Sequence, residues 1–466
     1  MESPERALVA ALRQALTELG VATAAQLQVA IGRSQPTVSR LLGAMGPELL
    51  VLGQGRRTRY TLAEPFGGLP ARQTLHWVHA DGRIEAWGTV AVATGQRIHL
   101  EAPGLDLLTQ GQLPWPLAPL RIEGFLGRLW AQRLALQGLD RQPERWTVAQ
   151  QVFAAALQPD APGALVLGEP RASALPVLPT SAKEPTSPGS TSSGVSAPAA
   201  TAASPPAARP DANLDDLAAD VAATLPAGSS AGGEQAKFLA RRADGRAVLV
   251  KFSPPRGTPF GERWHDLLHA EALALQVLSD HGVTVAASQV IESVARTYLV
   301  SERFDRLLPV DGRGFEGRRH AVPLHAVHEA FVGGPRQHWA ATAQALVRQQ
   351  RLPAEAGPQV EALLRFGRLI GNSDMHFGNL SLWVAPDDVA AGRFTLAPVY
   401  DMLPMRWRPD VQTGSLDLSP FFPEPMDLQS PARPVAQAFW ARAADHPGLT
   451  ADFRRLAGQM FDRLGV

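Results

Sequence analysis

The sequence predicts an α+β protein with a small N-terminal helical module, a mixed second domain and a larger C-terminal region. Three observations carry this. From Thr180 to Asp211, Ser, Thr, Pro, Ala and Gly replace nearly all large apolar residues, so the segment cannot bury enough surface to offset its ordering entropy and reads as a flexible tether. Apolar residues change from helical spacing near the N-terminus to strand-like stretches after residue 70. The polar loop Gly371-Asn372-Ser373-Asp374-Met375-His376-Phe377-Gly378-Asn379 stands between an apolar helix and a strand. The domains expected are 1–65, 66–170, a linker over 171–212, and 213–466.

The length of 466 residues agrees with roughly three domains. Lys+Arg 44 balance Asp+Glu 44, so any nucleic-acid contact must come from a local patch. Without cysteine there are no disulfides, thiolate metal sites or cysteine nucleophiles, and chemistry must run on oxygen and nitrogen. The N-terminus carries Glu2, Glu5, Arg6 and Arg13, as an amphipathic helix does and a signal peptide does not. No apolar run reaches membrane-spanning length, so a soluble cytoplasmic protein with no membrane contact is expected.

In the first module Ala7, Leu8, Ala11, Leu12, Leu16 and Leu19 mark a helix that Gly20 stops. A second helix runs from Thr23 through Leu27 to Ile31. A third follows Ser34 as N-cap, with Pro36 in its first turn where the missing N–H is harmless. Leu49 to Leu52 and Arg59 to Leu62 flank a Gly-rich turn as a hairpin. This order resembles a winged helix-turn-helix. Gln35, Thr37, Ser39 and Arg40 would then face the major groove of double-stranded DNA, and Arg56, Arg57 and Arg59 the phosphates. A helical dimerisation bundle is the alternative. Residues 70–170 give strands at 74–79, 83–93 and 96–101 and helices near 121–137 and 146–157, with no acid–base–nucleophile set, and read as a supporting α+β domain.

The C-terminal region carries the chemistry. Asp374 is followed five residues on by Asn379, and a further aspartate comes at Tyr400-Asp401. Phosphoryl transfer uses such a trio, because one carboxylate orients the acceptor hydroxyl while an amide oxygen and a second carboxylate hold Mg²⁺ against nucleotide phosphates. Taken singly, these residues are ordinary turn formers. Their joint spacing, with a helix over 360–370 and a strand over 380–384, argues for a site. Upstream, Ser229 to Lys237 is a turn-forming loop that can lay backbone N–H groups over phosphates, followed by strands at 238–241 and 247–252. Lys251 ends an apolar strand, Glu271 lies on a helix over 261–281 where a protein kinase keeps the carboxylate partner of that lysine, and Tyr298 to Arg306 gives a strand and a charged turn suited to linking two lobes.

Taken in order, SSAGGEQAK, VLVKF, SERFDR, GNSDMHFGN and PVYD resemble the HipA-type bacterial serine/threonine kinases, the toxin components of toxin–antitoxin modules. The resemblance covers residues 66–466, interrupted by the tether, and the fused N-terminal module is similar to a subgroup with the DNA reader on the same chain. It implies a two-lobed protein-kinase-like fold using ATP and Mg²⁺. By this resemblance Gly232, Gly233, Lys237 and Lys251 contact the nucleotide, Glu302 and Phe304 lie at the adenine hinge, and Asp374 is the catalytic base. Asn379 and Asp401 would hold Mg²⁺, and His376 would order the catalytic loop. Ser230 matches a loop serine whose autophosphorylation shuts such kinases off. The expected partners are a protein substrate, DNA and a second copy of the chain in a homodimer. Where the family has Gly-Ala-Gln-Glu-Lys, this chain has Gly233-Glu234-Gln235-Ala236-Lys237.

Three rivals stand beside this. His265 and His269 lie one helical turn apart, as in zinc hydrolases, but Asp266 stands where those enzymes use glutamate, and a third ligand is needed. The other two read the kinase-like half as a nucleotide sensor for a DNA-binding regulator, or as a small-molecule phosphotransferase, since the acceptor is not legible in motifs.

Overall fold

The computed structural model describes residues 4–158, 160–171, 173–178, 213–224, 235–309, 315–410 and 413–465. Nearly all of the expected linker, and Ser230, Gly232 and Gly233, lie outside the described residues. The chain divides into two compact units, one of Met1–Arg171, Asp305–Asp401 and Pro423–Ala436, the other of Ala172–Phe304, Met402–Phe422 and Gln437–Val466. The division passes through the region expected as 213–466.

In the first unit, α1 (Pro4–Leu19) ends at Gly20, whose φ of 72° is the left-handed conformation glycine adopts without strain. Thr23 starts α2 (Ala24–Ile31) with a reciprocal cap: its hydroxyl accepts the Gln26 N–H, and the Gln26 side chain accepts the Thr23 N–H. Ser34 stands at the N-cap of α3 (Gln35–Ala44) but makes no side-chain cap bond. Its hydroxyl lies 3.1 Å from Thr37 Oγ1 instead, because both short side chains sit on the same turn. Leu12, Leu16, Leu27, Val38 and Leu41 have no exposed surface and hold the three helices together. Strands β1 (Leu49–Leu52) and β2 (Arg59–Leu62) pair antiparallel, and Ala22 bridges Tyr60 beside them.

Next come β3 (Arg72–Val78), β4 (Ile84–Ala93), β5 (Arg97–Ala102) and β6 (Leu105–Gln110), then α4 (Gly124–Leu134), α5 (Val148–Leu157) and β7 (Leu165–Leu167). They form an antiparallel sheet of order β6-β5-β4-β3-β7. Strands β6 and β7 are additions to the strands expected from sequence. The first is half-exposed along its length and the second is three residues long, so neither shows a clear apolar alternation.

The second unit is built on α6 (Leu214–Thr224), β8 (Lys237–Arg241), β9 (Ala247–Phe252), α7 (Pro259–Asp280), β10 (Ser288–Glu292) and β11 (Thr297–Glu302). The sheet order is β10-β11-β9-β8, antiparallel throughout. Side chains alternate across a strand, so Phe238, Val248, Val250, Phe252, Tyr298 and Val300 share one face and pack with Leu214, Leu217 and Val221 of α6. Lys251 is on the other face, with α7.

The first unit resumes with β12 (Arg306–Leu307), β13 (Gly317–Arg318), β14 (His320–Pro323), α8 (Leu324–Phe331), α9 (Trp339–Arg348), α10 (Ala356–Leu369), β15 (Ser381–Val384) and β16 (Thr395–Leu396). Strands β14, β15 and β16 make one antiparallel sheet, with the polar loop between α10 and β15. No helix among the described residues is long and apolar enough to cross a membrane.

Candidate active site

In the second unit, Lys251 Nζ lies 2.6 and 2.8 Å from the two carboxylate oxygens of Glu271. Both residues are buried, at 5% and 2% exposure. Glu271 is in the middle of α7, and the alternation of β9 aims Lys251 at that helix. Removing one partner would leave a buried charge uncompensated, at a cost of about 3–5 kcal/mol. Lys237 pairs with Lys251 directly across β8 and β9, so the two lysines share a face of the sheet. Glu302 ends β11, where its carboxylate accepts from Arg246 at 2.9 Å and its N–H donates to Ala287 O at 2.7 Å. Phe304, half-buried, is the last residue before the chain enters the first unit.

The half of SERFDR that follows is structural. Arg306 is buried and reaches Asp160 at 2.8 Å and Asp305 at 2.7 Å, and Asp305 also accepts the Gly163 N–H. A stretch read as a lobe connection thus also anchors the 160–163 turn.

In the first unit the polar loop is set by the end of α10. Asn372 N–H bonds Gly367 O and Gly371 N–H bonds Arg368 O, with Gly371 at φ 76°, a left-handed helix stop that turns the chain sharply. Asn372 Oδ1 then accepts the Asp374 N–H at 2.9 Å, and Asn379 Nδ2 donates to Asp374 O at 2.9 Å. The Asn379 amide nitrogen is thereby used, so a cation would meet its oxygen. His376 Nδ1 accepts the Gly378 N–H, and its carbonyl accepts from Trp339 Nε1 and from the Asn379 N–H, each at 3.0 Å. A Cβ on Gly378 would lie 2.9 Å from the His376 ring, so glycine permits this turn.

Tyr400 ties Asp401 to the loop: its hydroxyl donates to Gly378 O at 2.7 Å and lies 2.8 Å from Ser381 Oγ. Asp401 itself has φ 56°, a conformation unusual for a residue with a Cβ and found where local geometry serves a site. Asn379 and Asp401 offer hard oxygen atoms, the donor class Mg²⁺ takes. Nearby, the His325 N–H bonds Phe377 O, and burial, reinforced by Arg336, Arg121 and His376, pushes the His325 pKa down to about 4.

Asn372, Trp339, Tyr400 and Ser381 were not singled out in the sequence. Asn372 has a local signal, an amide two residues before Asp374; the others act through tertiary contacts with none. On the N-terminal module, Gln35, Ser39, Arg40, Arg56 and Arg57 are exposed, and Thr37 and Arg59 are half-buried. Arg40 pairs with Glu5 of α1 at 3.1 Å. Asp266, the residue a zinc hydrolase would need as base, is buried and accepts both the Thr450 N–H at 2.8 Å and its hydroxyl at 2.7 Å. Asp266 thereby holds Thr450, whose hydroxyl accepts the Phe453 N–H at the start of the last helix (Ala451–Gly465), and hydrolase chemistry has no base there.

A buried lysine–glutamate pair between sheet and helix, with an Asp–Asn loop and a strained Asp elsewhere in an α+β chain, defines a kinase-like class. The chain belongs to the HipA-like family: the model of the HipA-like C-terminal domain matches residues 229–464, and that of the middle domain of YjjJ-like toxins matches 69–175. It is 32% identical over 464 residues to the toxin YjjJ of Escherichia coli strain K12, covering 96% of this chain and 97% of that protein. Its structure is similar to a chain of the Shewanella oneidensis MR-1 toxin–antitoxin complex of HipA, HipB and operator DNA, at TM-score 0.49 and 15% identity over 84% of this chain and 95% of that one. The Helicobacter pylori proinflammatory kinase CtkA matches at TM-score 0.32 and 12% identity, over 50% of this chain and 87% of that one.

Proposed function

We propose that this protein is an ATP- and Mg²⁺-dependent serine/threonine kinase of the HipA toxin type whose N-terminal module binds double-stranded DNA. The observation that carries the kinase assignment is the buried, two-bond pair of Lys251 with Glu271. Such a pair is poor value as a stability device, since desolvation offsets most of its attraction, but it holds a lysine ammonium where ATP phosphates need one. In this role Lys251 and Lys237 bind phosphates, and Asp374 accepts a hydrogen bond from the acceptor hydroxyl and takes its proton as that oxygen attacks the γ-phosphorus. Asn379 and Asp401 would hold Mg²⁺, which when bound offsets the charge of the phosphates. His376, Asn372 and Tyr400 keep the loop in shape. The loop serine Ser230 is assigned the self-inactivating modification on the strength of the family resemblance.

Incubation with γ-labelled ATP and a cell lysate, beside Asp374→Ala, tests this. Label on protein serine or threonine in the parent alone is the expected result. Label confined to small molecules would place the protein among small-molecule phosphotransferases, and no label in either sample would favour the nucleotide-sensor alternative. Phosphate on Ser230 of the parent, absent from Asp374→Ala, is expected by mass spectrometry. For DNA, the support is three packed helices, a paired hairpin with Arg56 and Arg57 exposed at its turn, and an exposed polar face on α3.

A further inference from the structure

The two histidines of α7 gain a third neighbour from the fold. His265 and His269 stack with ring centroids 4.6 Å apart, and Glu292, at the end of β10, brings a carboxylate to them. One ligand atom from each of the three lies within 4.8 Å of the others. The histidines are 3% and 6% exposed while Glu292 is at the surface, so the cluster is sheltered yet open to ions on one side.

The hydrogen bonds set the nitrogens. His265 Nε2 is 2.6 Å from Gly448 O, and a carbonyl only accepts, so Nε2 carries the proton and Nδ1 is an acceptor, which the buried Thr297 hydroxyl meets at 2.7 Å. A ring nitrogen steered by a carbonyl on its other side is the arrangement metal-binding histidines use. Gly448 is needed for it, because a Cβ there would fall 2.6 Å from His269 Cε1. His269 Nε2 lies 3.0 Å from Glu292 Oε1, a carboxylate oxygen, so by the same rule it carries the proton here, and ligating a metal through Nε2 moves that proton to Nδ1.

A cation already occupies the middle. Arg256 Nη1 is 3.1 Å from His265 Nδ1 and 3.0 Å from Glu292 Oε2, and Arg256 Nε is 3.2 Å from a second carboxylate, that of Glu262. The guanidinium therefore has a partner to keep if it is displaced. Two imidazoles and a carboxylate suit Zn²⁺, Co²⁺ or Ni²⁺ and not Mg²⁺. Ligand atoms on zinc stand about 3.3 Å apart, so the cluster would contract by side-chain rotation, to which surface-exposed Glu292 is well placed.

We propose that His265 Nδ1, His269 Nε2 and the Glu292 carboxylate form a site for a divalent transition metal, which binds by displacing the Arg256 guanidinium and the Thr297 hydroxyl from His265 Nδ1, with the His269 proton passing to its Nδ1. Bound metal ties α7, which carries Glu271 two residues after His269, to β10. This is a site for a cross-linking ion and not a hydrolytic centre, since Asp266 is committed to Thr450.

The test uses the full chain, stripped with chelator and titrated with Co²⁺. Expected is visible absorption saturating at a single equivalent, displaced by Zn²⁺ and unaffected by excess Mg²⁺. His269→Gln and Glu292→Gln should each weaken binding by at least about tenfold. Arg256→Ala should tighten it by about tenfold, because one competing charge is gone. Zn²⁺ in hundredfold excess over its Kd should raise Tm by roughly 5 °C in the parent and not in Glu292→Gln. Absorption that survives Glu292→Gln, no absorption at all, or Arg256→Ala binding no tighter than the parent would each overturn the proposal, the last by making Arg256 the permanent occupant. None of these measurements depends on kinase activity.

Discussion

At the scale of residues, the candidate site is a set of short polar side chains whose backbone is tied down by its neighbours. Asp374 receives its geometry from Asn372 and Asn379, and Asp401 from Tyr400. Asp374→Asn and Asp401→Asn keep the shape of the side chain, and asparagine tolerates the left-handed conformation of Asp401, so the fold should hold. Phosphoryl transfer should fall by about 10²–10³-fold or more in each, with Tm nearly unchanged. Parental rates in both purified variants would sink the assignment. A second residue-scale consequence concerns acid. His320 is fully enclosed, bonded through Nε2 to Pro116 O and through Nδ1 to the Ala164 N–H, and burial pushes its pKa down to about 4. The unfolded chain takes up a proton on this residue near pH 6.5 that the folded chain refuses. Its contribution is therefore full above about pH 6.5 and is lost as pH falls towards 4, by up to about 3 kcal/mol. Melting curves between about pH 7.5 and about pH 5 should show Tm falling, with a shallower fall in His320→Gln. An equal slope in the two proteins would mean other groups govern acid sensitivity.

At the scale of elements, periodicity decides which face does what. Strand β9 sends Val248, Val250 and Phe252 into the apolar core and Lys251 to the opposite face, and one residue of register slip would exchange them. In the N-terminal module, α3 buries Val38, Leu41 and Leu42 and leaves Gln35, Ser39 and Arg40 in solvent, while Arg56 and Arg57 sit in the hairpin turn. A base-reading side chain and a phosphate contact behave differently on mutation. Arg40→Ala should cost about 1–3 kcal/mol on the preferred sequence and relax specificity. Arg57→Ala should weaken all sequences alike and reduce the salt dependence by about one phosphate contact. Gel-shift titrations at several salt concentrations separate the two; no shift with the protein's own promoter or random duplex would favour a dimerisation bundle. The Arg40–Glu5 pair is exposed on both sides, so giving it up on DNA costs little.

At the scale of the whole molecule, each compact unit is assembled from separate stretches of chain. The chain passes between units at Phe304/Asp305 and at Asp401/Met402, next to two of the residues assigned to the site. Ligand binding offers a test that does not require turnover. Mg²⁺–ATP at about 100 times its Kd should stabilise the folded protein by about 2.7 kcal/mol. The resulting rise in Tm should appear in the parent and in Asp374→Ala, whose side chain is assigned to the acceptor, but not in Lys251→Met. Equal shifts in all three would remove Lys251 from the nucleotide site.

Sequence alone determined the elements whose signals are local. Thr23 and Gly20 mark helix ends, the hairpin strands fall at their expected bounds, and Asp374, Asn379 and Asp401 stand out by spacing, because caps, turns and side-chain periods act over a few residues. Family membership followed from the same short motifs read in order. What only the tertiary structure decided are the contacts between residues far apart in the chain. Among these are Tyr400 against Gly378, Asp266 as the acceptor for Thr450, and Glu292 beside His265 and His269. Strands β6 and β7 belong here too. Pairing with a neighbouring strand is what orders a short or half-exposed segment, and a partner's backbone leaves no trace in the segment's own residues.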